Sequence, residues 1–319
     1  MGLKASPPPP KPRPMSLPTA SHAGFRFRLS RPELALIGIT MLWGATFLVV
    51  HLAMRQEGAL FFVGLRFLSA GVLLAILFRR EMIQVTPQEV GAGAAIGLAI
   101  CLGYGAQTFG LKTISSSQSA FITAAYVPLV PLLQWVVLKR PPALMSWVAV
   151  GFAFVGLLLL AGPGAHGIGF GVGEVVTLLG TLAMAAEILL IGTFAGRVNS
   201  RRVTVVQLVA AGMFALIAMP FAGEVVPDAS ASWFAAALGL GVMSAIIQLT
   251  MNWAQAFVSP TRATLIYAGE PVWAGIVGRL AGERLAPLAL LGGGLILVGT
   301  LIGELRPQRR SKAHNAPAK

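Results

Sequence analysis

Charge is what this 319-residue sequence is shortest of, and acid above all. Charged residues make up 11% of it, where a soluble domain carries about 25%. Only 11 residues are acidic, and Asp228 is the sole aspartate. One cysteine, Cys101, excludes an intramolecular disulfide and gives thiol redox chemistry no second sulfur. The histidines His22, His51, His166 and His314 are far apart, and neither H-E-x-x-H nor G-x-S-x-G occurs, so no metal site or hydrolase is expected. An ATP-driven pump would need a G-x4-G-K-[ST] loop, which is absent. No cofactor is expected. The net charge of +13 comes without a basic stripe of interleaved aromatics, so a nucleic-acid partner is not expected either.

Apolar residues are what the chain has in abundance, 56% of it. They recur in runs of about twenty residues, the length a helix needs to cross a bilayer, rather than in the alternating runs of about ten that a barrel shows. The fold class read from this is an all-α integral membrane protein with ten transmembrane helices. The expected spans are Leu34 to Ala53, Ala59 to Phe78, Val90 to Leu111, Gln118 to Leu138, Leu144 to Ala161, Val172 to Phe194, Val203 to Ala222, Trp233 to Phe257, Pro260 to Ala281 and Ala286 to Gly303. Thr86-Pro87-Gln88-Glu89 predicts a capped helix start with a first-turn proline and a capping-box glutamate, and Ser259-Pro260 predicts the same without the glutamate. Residues 1–32, rich in proline and basic, read as a disordered cytoplasmic tail, and 306–319 as a second basic tail. The first apolar run is too long for the core of a cleavable signal peptide, so it is expected to remain as a span.

Lysine and arginine set the orientation. On alternate connections taken as cytoplasmic lie Lys4, Lys11, Arg13, Arg26, Arg28 and Arg31, then Arg79 and Arg80, Lys139 and Arg140, Arg197, Arg201 and Arg202, Arg262, and finally Arg306, Arg309, Arg310, Lys312 and Lys319. The opposite connections hold only Arg55, Lys112, Arg279 and Arg284, and Arg66 falls inside a span. This asymmetry predicts a multi-pass protein of the cell inner (plasma) membrane with both termini cytoplasmic.

The chain also repeats itself. With a gapless offset of 143, Ala120, Pro128, Ala143, Gly151, Val155, Gly156 and Leu158 fall on Ala263, Pro271, Ala286, Gly294, Val298, Gly299 and Leu301. Five spans per half is an odd number, so the second repeat (172–305) would enter the membrane inverted with respect to the first (33–161). Inverted repeats place a binding site at their interface near the midplane.

At this point the residues resemble a family. Asn252 to Leu285, NWAQAFVSPTRATLIYAGEPVWAGIVGRLAGERL, is similar to the EamA-type members of the drug/metabolite transporter superfamily, with their Ser-Pro-Thr-Arg-Ala, Glu-Pro and Gly-Glu-Arg motifs. The stretch from Leu42, LWGATFLVV, resembles the family's Trp-Gly motif in helix one, and Gly64 to Phe67, GLRF, its helix-two arginine. The resemblance covers about Pro32 to Arg306 and implies transport of amino acids, metabolites or drugs. Two positions depart from it: Lys139-Arg140-Pro141 stands where the first repeat usually ends in Gly-Glu-Arg, and Val127 precedes Pro128 where Glu270 precedes Pro271.

Polar residues inside spans are costly and mark a pathway or a tie between helices. Arg66, seven residues into the second span, reads as a clamp for a solute carboxylate or a link to helix-end carbonyls. Glu270, near the middle of the ninth span, and Glu187, in the sixth between the small Ala183 and Ala186, read as solute-binding or proton-coupling carboxyls or as structural groups. Gln107, Gln118, Gln134, Gln207, Gln248 and Asn252 read mainly as interhelical hydrogen bonds. Tyr104, Gln107, Gln248 and Asn252, on spans that pair by the repeat, are also candidates to line a solute site, and Trp43 could stack on a planar solute. Gly93 with Gly97, and the run Gly292 to Gly294, predict close helix crossings. Residues 162–167 match G-x-G-x-x-G only formally, since no strand precedes them.

The function expected is a secondary transporter that moves a small organic solute outward by alternating access at a central cavity between the repeats, compatible with proton coupling. The alternatives are a passive channel, a non-transporting membrane receptor or partner, and an intramembrane enzyme. The expected partners are the lipid bilayer and the small-molecule solute; a homodimer is compatible with the residues but nothing in them calls for one.

Overall fold

A computed structural model describes residues 30–55, 58–139, 141, 144–161, 163–164, 167–168, 171–228 and 230–304. The predicted tails lie outside these residues except for 30–32. The helices are α1 (Arg31–Ala53), α2 (Ala59–Leu77), α3 (Arg79–Met82), α4 (Pro87–Gly110), α5 (Ser116–Thr123), α6 (Tyr126–Leu138), α7 (Leu144–Ala161), α8 (Val172–Phe194), α9 (Ser200–Phe221), α10 (Ala231–Ala254), α11 (Pro260–Tyr267), α12 (Glu270–Leu280) and α13 (Pro287–Glu304). The only strands among the described residues are Pro163–Gly164 and Gly167–Ile168, a two-residue antiparallel ladder inside the rejected glycine-rich match.

The helix starts follow local chemistry. Both expected caps are present: Thr86 and Glu89 form a capping box at α4, and the Ser259 side chain accepts from the Arg262 amide at α11. Ser30 and Glu33 form a second capping box at α1, with Pro32 in its first turn. Each cap satisfies amides that a helix start leaves without an intrahelical partner.

Among the described residues seven segments are long and apolar enough to cross a membrane: α1, α2, α4, the α5–α6 pair, α8, α9 and α10. In α7 and α13 the apolar stretches are shorter, Trp147–Gly156 and Leu290–Gly299. Two expected spans are not continuous helices. The fourth breaks at Ala124-Ala125 and the ninth at Ala268-Gly269. Prolines are the cause, because Pro128 and Pro271 lack the N–H that would bond four residues back. At each break the backbone tightens to i→i−3 bonds, from Ala125 N to Ile122 O and from Gly269 N to Ile266 O. Glu270 is therefore corrected from the middle of a helix to the first residue of α12.

Burial is reversed relative to a soluble protein. Arg66, Glu187, Gln207, Gln248 and Glu270 are buried, while Ile76, Leu77, Phe154, Leu179 and Phe257 point outward. An outward apolar belt around inward polar groups suits a lipid surround, where backbone groups must be satisfied within each helix. The core that holds α1, α2, α4, α8, α9 and α10 together includes Leu36, Phe67, Ile96, Ile100, Tyr104, Ile188, Leu208, Met251 and Tyr267. The predicted crossing at Gly93 and Gly97 is where α4 meets α9: a Cβ on Gly97 would stand 2.6 Å from the Gln207 carbonyl oxygen. Helix α13 packs along α7.

Candidate functional site

All eight proposed site residues are buried, none more than 4% exposed. Three form an aromatic and cationic group. The Trp43 ring, from α1, stacks on Tyr104 of α4 with centroids 6.3 Å apart and planes within 6°, and Tyr267 at the end of α11 meets Trp43 edge-on at 5.7 Å. The Arg66 guanidinium lies 5.4 Å from the Tyr104 ring centroid and 5.1 Å from that of Phe67, and its Nε donates to the Ser244 hydroxyl of α10 at 2.7 Å. Among the described residues no carboxylate forms a salt bridge with Arg66. Its positive charge is met by two ring faces and one hydroxyl.

A chain of amides forms the second group. Gln248 donates to Glu187 Oε1 at 2.7 Å, Gln207 donates to Gln248 Oε1 at 2.7 Å, and Asn252 donates to Gln207 Oε1 at 3.1 Å. The bonds run from α8 through α10 to α9, so Glu187 is anchored by three helices. Glu270 lies elsewhere, where Tyr126, the first residue of α6, donates to its Oε2 at 3.3 Å, and its buried Oε1 has no hydrogen-bond partner. The two half-helices that begin at Tyr126 and Glu270 thus meet at their first residues. Close approach of α1 to this point is allowed by Gly44, where a Cβ would stand 2.8 Å from the Glu270 carbonyl oxygen.

Gln107 is not part of either group. It donates to Thr123 at 3.1 Å and ties α4 to the last residue of α5. Tyr126, Tyr267 and Ser244 belong to the site but were not singled out from the sequence, because neutral residues in a span raise no alarm of the kind a buried charge does. With at most 4% of each exposed, the eight residues are closed from the surface in this conformation.

A further carboxylate was seen in sequence only as part of a motif. Glu283, in the connection between α12 and α13, accepts four hydrogen bonds at the start of α5: from the Ser116 amide and hydroxyl at 3.0 and 2.7 Å, and from the Ser117 amide and hydroxyl at 3.0 and 2.6 Å. Partial burial alone would raise its pKa, but these donors outweigh that and hold the carboxyl below the usual glutamate range. Glu224 likewise accepts from the Leu60 and Phe61 amides, at 2.7 and 3.2 Å, at the start of α2.

The arrangement brings a cation, stacked rings and buried carboxyls together inside the helix bundle. Chains of similar sequence carry the name of transporter. An "uncharacterized transporter" of Archaeoglobus fulgidus is 28% identical over 278 residues, covering 86% of each chain. The "uncharacterized inner membrane transporter YedA" of Escherichia coli is 28% identical over 291 residues, 87% of this chain and 92% of its own length. A crystal structure with 19% identity matches the fold with a TM-score of 0.62, covering 86% of this chain and 96% of that one. The profile of the EamA-like transporter family matches twice, over residues 31–162 and 171–303. With two matches that together span most of its length, this chain belongs to the EamA-like transporter family and is a multi-pass membrane transporter.

Proposed function

We propose that the protein is a secondary exporter of a small organic solute, built of ten spans in two inverted five-helix repeats (33–161 and 172–305), with both termini cytoplasmic. Transport proceeds by alternating access at the interface of the repeats. The observation that carries this reading is the set of buried polar groups inside the bundle: an arginine that forms no salt bridge among the described residues and lies against a stacked ring pair, and two glutamates.

Paired contacts support the inverted arrangement. The α4–α9 packing has a counterpart in α10–α2, α4–α8 in α1–α10, α1–α12 in α6–α8, and α12–α5 in α11–α6. Each is the contact obtained when every helix is exchanged for its partner in the other half. The broken helices fit transporter architecture, where irregular backbone at membrane depth is tolerated only in protein or beside a cavity. Arg66 receives the solute carboxylate, Trp43 and Tyr104 its apolar body, and either Glu187 or Glu270 carries the coupled proton.

The test follows the two glutamates. The solute is first identified by comparing metabolites in a deletion strain and an overexpressing strain, then used in proteoliposomes. Glutamine mimics the protonated acid, so the coupling residue, replaced as Glu187→Gln or Glu270→Gln, is expected to lose proton-driven accumulation while keeping solute exchange. A residue that only binds solute loses both activities. Wild-type behaviour of both variants in both assays would remove these carboxyls from transport.

A further inference from the structure

Between α12 and α13 the structure leaves a long apolar groove. Its volume is about 730 Å³, and Phe121, Ile276, Leu285, Leu290 and Leu297 supply much of its wall. Along α12 it runs from Pro271 to Leu280, about 14 Å at 1.5 Å per residue. It exists because α13 packs along α7 and stands off α12. Val272, Ile276, Leu280 and Leu290 are exposed along it, so the opening faces sideways out of the molecule, where the lipid lies.

Its mouth carries charge of both signs. Arg279 and Glu283 line the groove, Arg279 is exposed, and Arg284, between the lining residues Glu283 and Leu285 in sequence, is exposed as well. Arg279 sits in the last turn of α12, where the helix dipole favours a cation, but that leaves its forked donors free for another partner. The nearest acid by sequence, Glu283, is committed to Ser116 and Ser117, and among the described residues neither arginine forms a salt bridge. An apolar slot one helix long, open to the side and ending at the Arg279 guanidinium, which forms no salt bridge among the described residues, matches an acyl chain joined to an anionic phosphate.

We propose that this groove is a binding site for one anionic phospholipid, with an acyl chain along α12 and its phosphate at Arg279. The site is separate from the solute-binding group and does not depend on the transport reading.

Native mass spectrometry of the purified full chain tests it, with phosphatidylglycerol and phosphatidylcholine of identical acyl chains as the probes. The wild type is expected to retain phosphatidylglycerol about fivefold better, the size of one surface arginine's attraction to an anionic lipid. Arg279→Gln, at an exposed position, is expected to erase that preference. Gly294 lines the groove and a Cβ there meets nothing within 4 Å. Gly294→Leu, which also favours helix, is therefore expected to fill the slot and lower retention of both lipids. A preference that survives Arg279→Gln overturns the proposal, as does undiminished lipid in Gly294→Leu. A wild-type dimer mass that Gly294→Leu disperses would assign the groove to a second copy of the chain and overturn it too.

Discussion

The two broken helices are built alike and finished differently. Each consists of an eight-residue first piece, α5 or α11, a two-residue interruption ahead of a proline, and a second piece that starts at Tyr126 or Glu270. Each second piece ends at a residue in the left-handed region, Lys139 at φ 56° and Gly282 at φ 94°. Backbone geometry is shared, and side-chain chemistry is not. Glu270 is opposed by Tyr126, so the pair carries one ionisable carboxyl rather than two. After Gly282 comes Glu283, which clamps the start of α5; after Lys139 the sequence turns to Arg140 and Pro141, which cannot accept hydrogen bonds from amides through a side chain. Proline fixes where a helix breaks, and the residues that follow differ: only the second broken helix carries a buried carboxyl at its break and a clamping carboxylate after its end.

The largest effect that would break this comparison is expected at Glu283. Replacing it with alanine removes the acceptor for two amides and two hydroxyls at once. Hydrogen bonds to a charged group contribute about 1.5 to 3 kcal/mol each when sheltered, and this carboxylate is only partly buried, so a loss of about 2 kcal/mol in total is expected. Thermal unfolding in detergent measures it. An unchanged midpoint would mean that the clamp is incidental and the two ends are equivalent after all.

A smaller effect is expected from acid. The folded-state pKa of Glu283 is lowered, so its contribution is fully present above the unfolded glutamate value of about 4.3 and is lost as pH falls through the lower folded value. The stability difference between wild type and Glu283→Gln should therefore be constant from neutral pH down to about 5 and shrink below it. Midpoints measured across that range for both proteins give the answer, and a difference that grows on acidification would contradict the lowered pKa.

Much of the fold could be read from the sequence because lipid imposes a simple rule on it. Apolar runs of span length, prolines paired across the halves and glycines at crossings are local signals, and α1, α2, α4, α8, α9 and α10 follow them closely. The breaks were only half legible: Pro128 and Pro271 stood out as a pair matched across the halves, but tightening into separate helices depends on what packs around them. The site was legible where charge is expensive, at Arg66, Glu187 and Glu270. Its neutral partners were not. Ser244 lies 178 residues from Arg66, Tyr126 lies 144 from Glu270, and Ser116 lies 167 from Glu283. No local pattern announces such pairings. Gln107 looked like Gln248 in sequence and differs only in what the third dimension puts opposite it.

The smallest and sharpest test concerns the left-handed ends themselves. A side chain in that region costs about 1 to 2 kcal/mol through contact of its Cβ with the following carbonyl, and glycine escapes this at the expense of about 0.5 to 1 kcal/mol of extra freedom in the unfolded chain. Lys139→Gly alone would confuse this balance with loss of a cation at a helix C-terminus, itself contributing about 0.3 to 1 kcal/mol. Lys139→Ala removes the same charge and keeps the Cβ, so the difference between the glycine and alanine variants isolates the backbone. At 139 the glycine variant is expected to be more stable than the alanine variant by about 0.5 to 1 kcal/mol. At 282, where glycine is native, Gly282→Ala is expected to lose a similar amount. Equal differences would show that the two half-helices end on the same backbone device and diverge only in the side chains that follow. An alanine at 139 as stable as glycine would mean that the turn after α6 relaxes out of the left-handed region once lysine is gone, and that lysine itself, rather than the fold, holds that end in place.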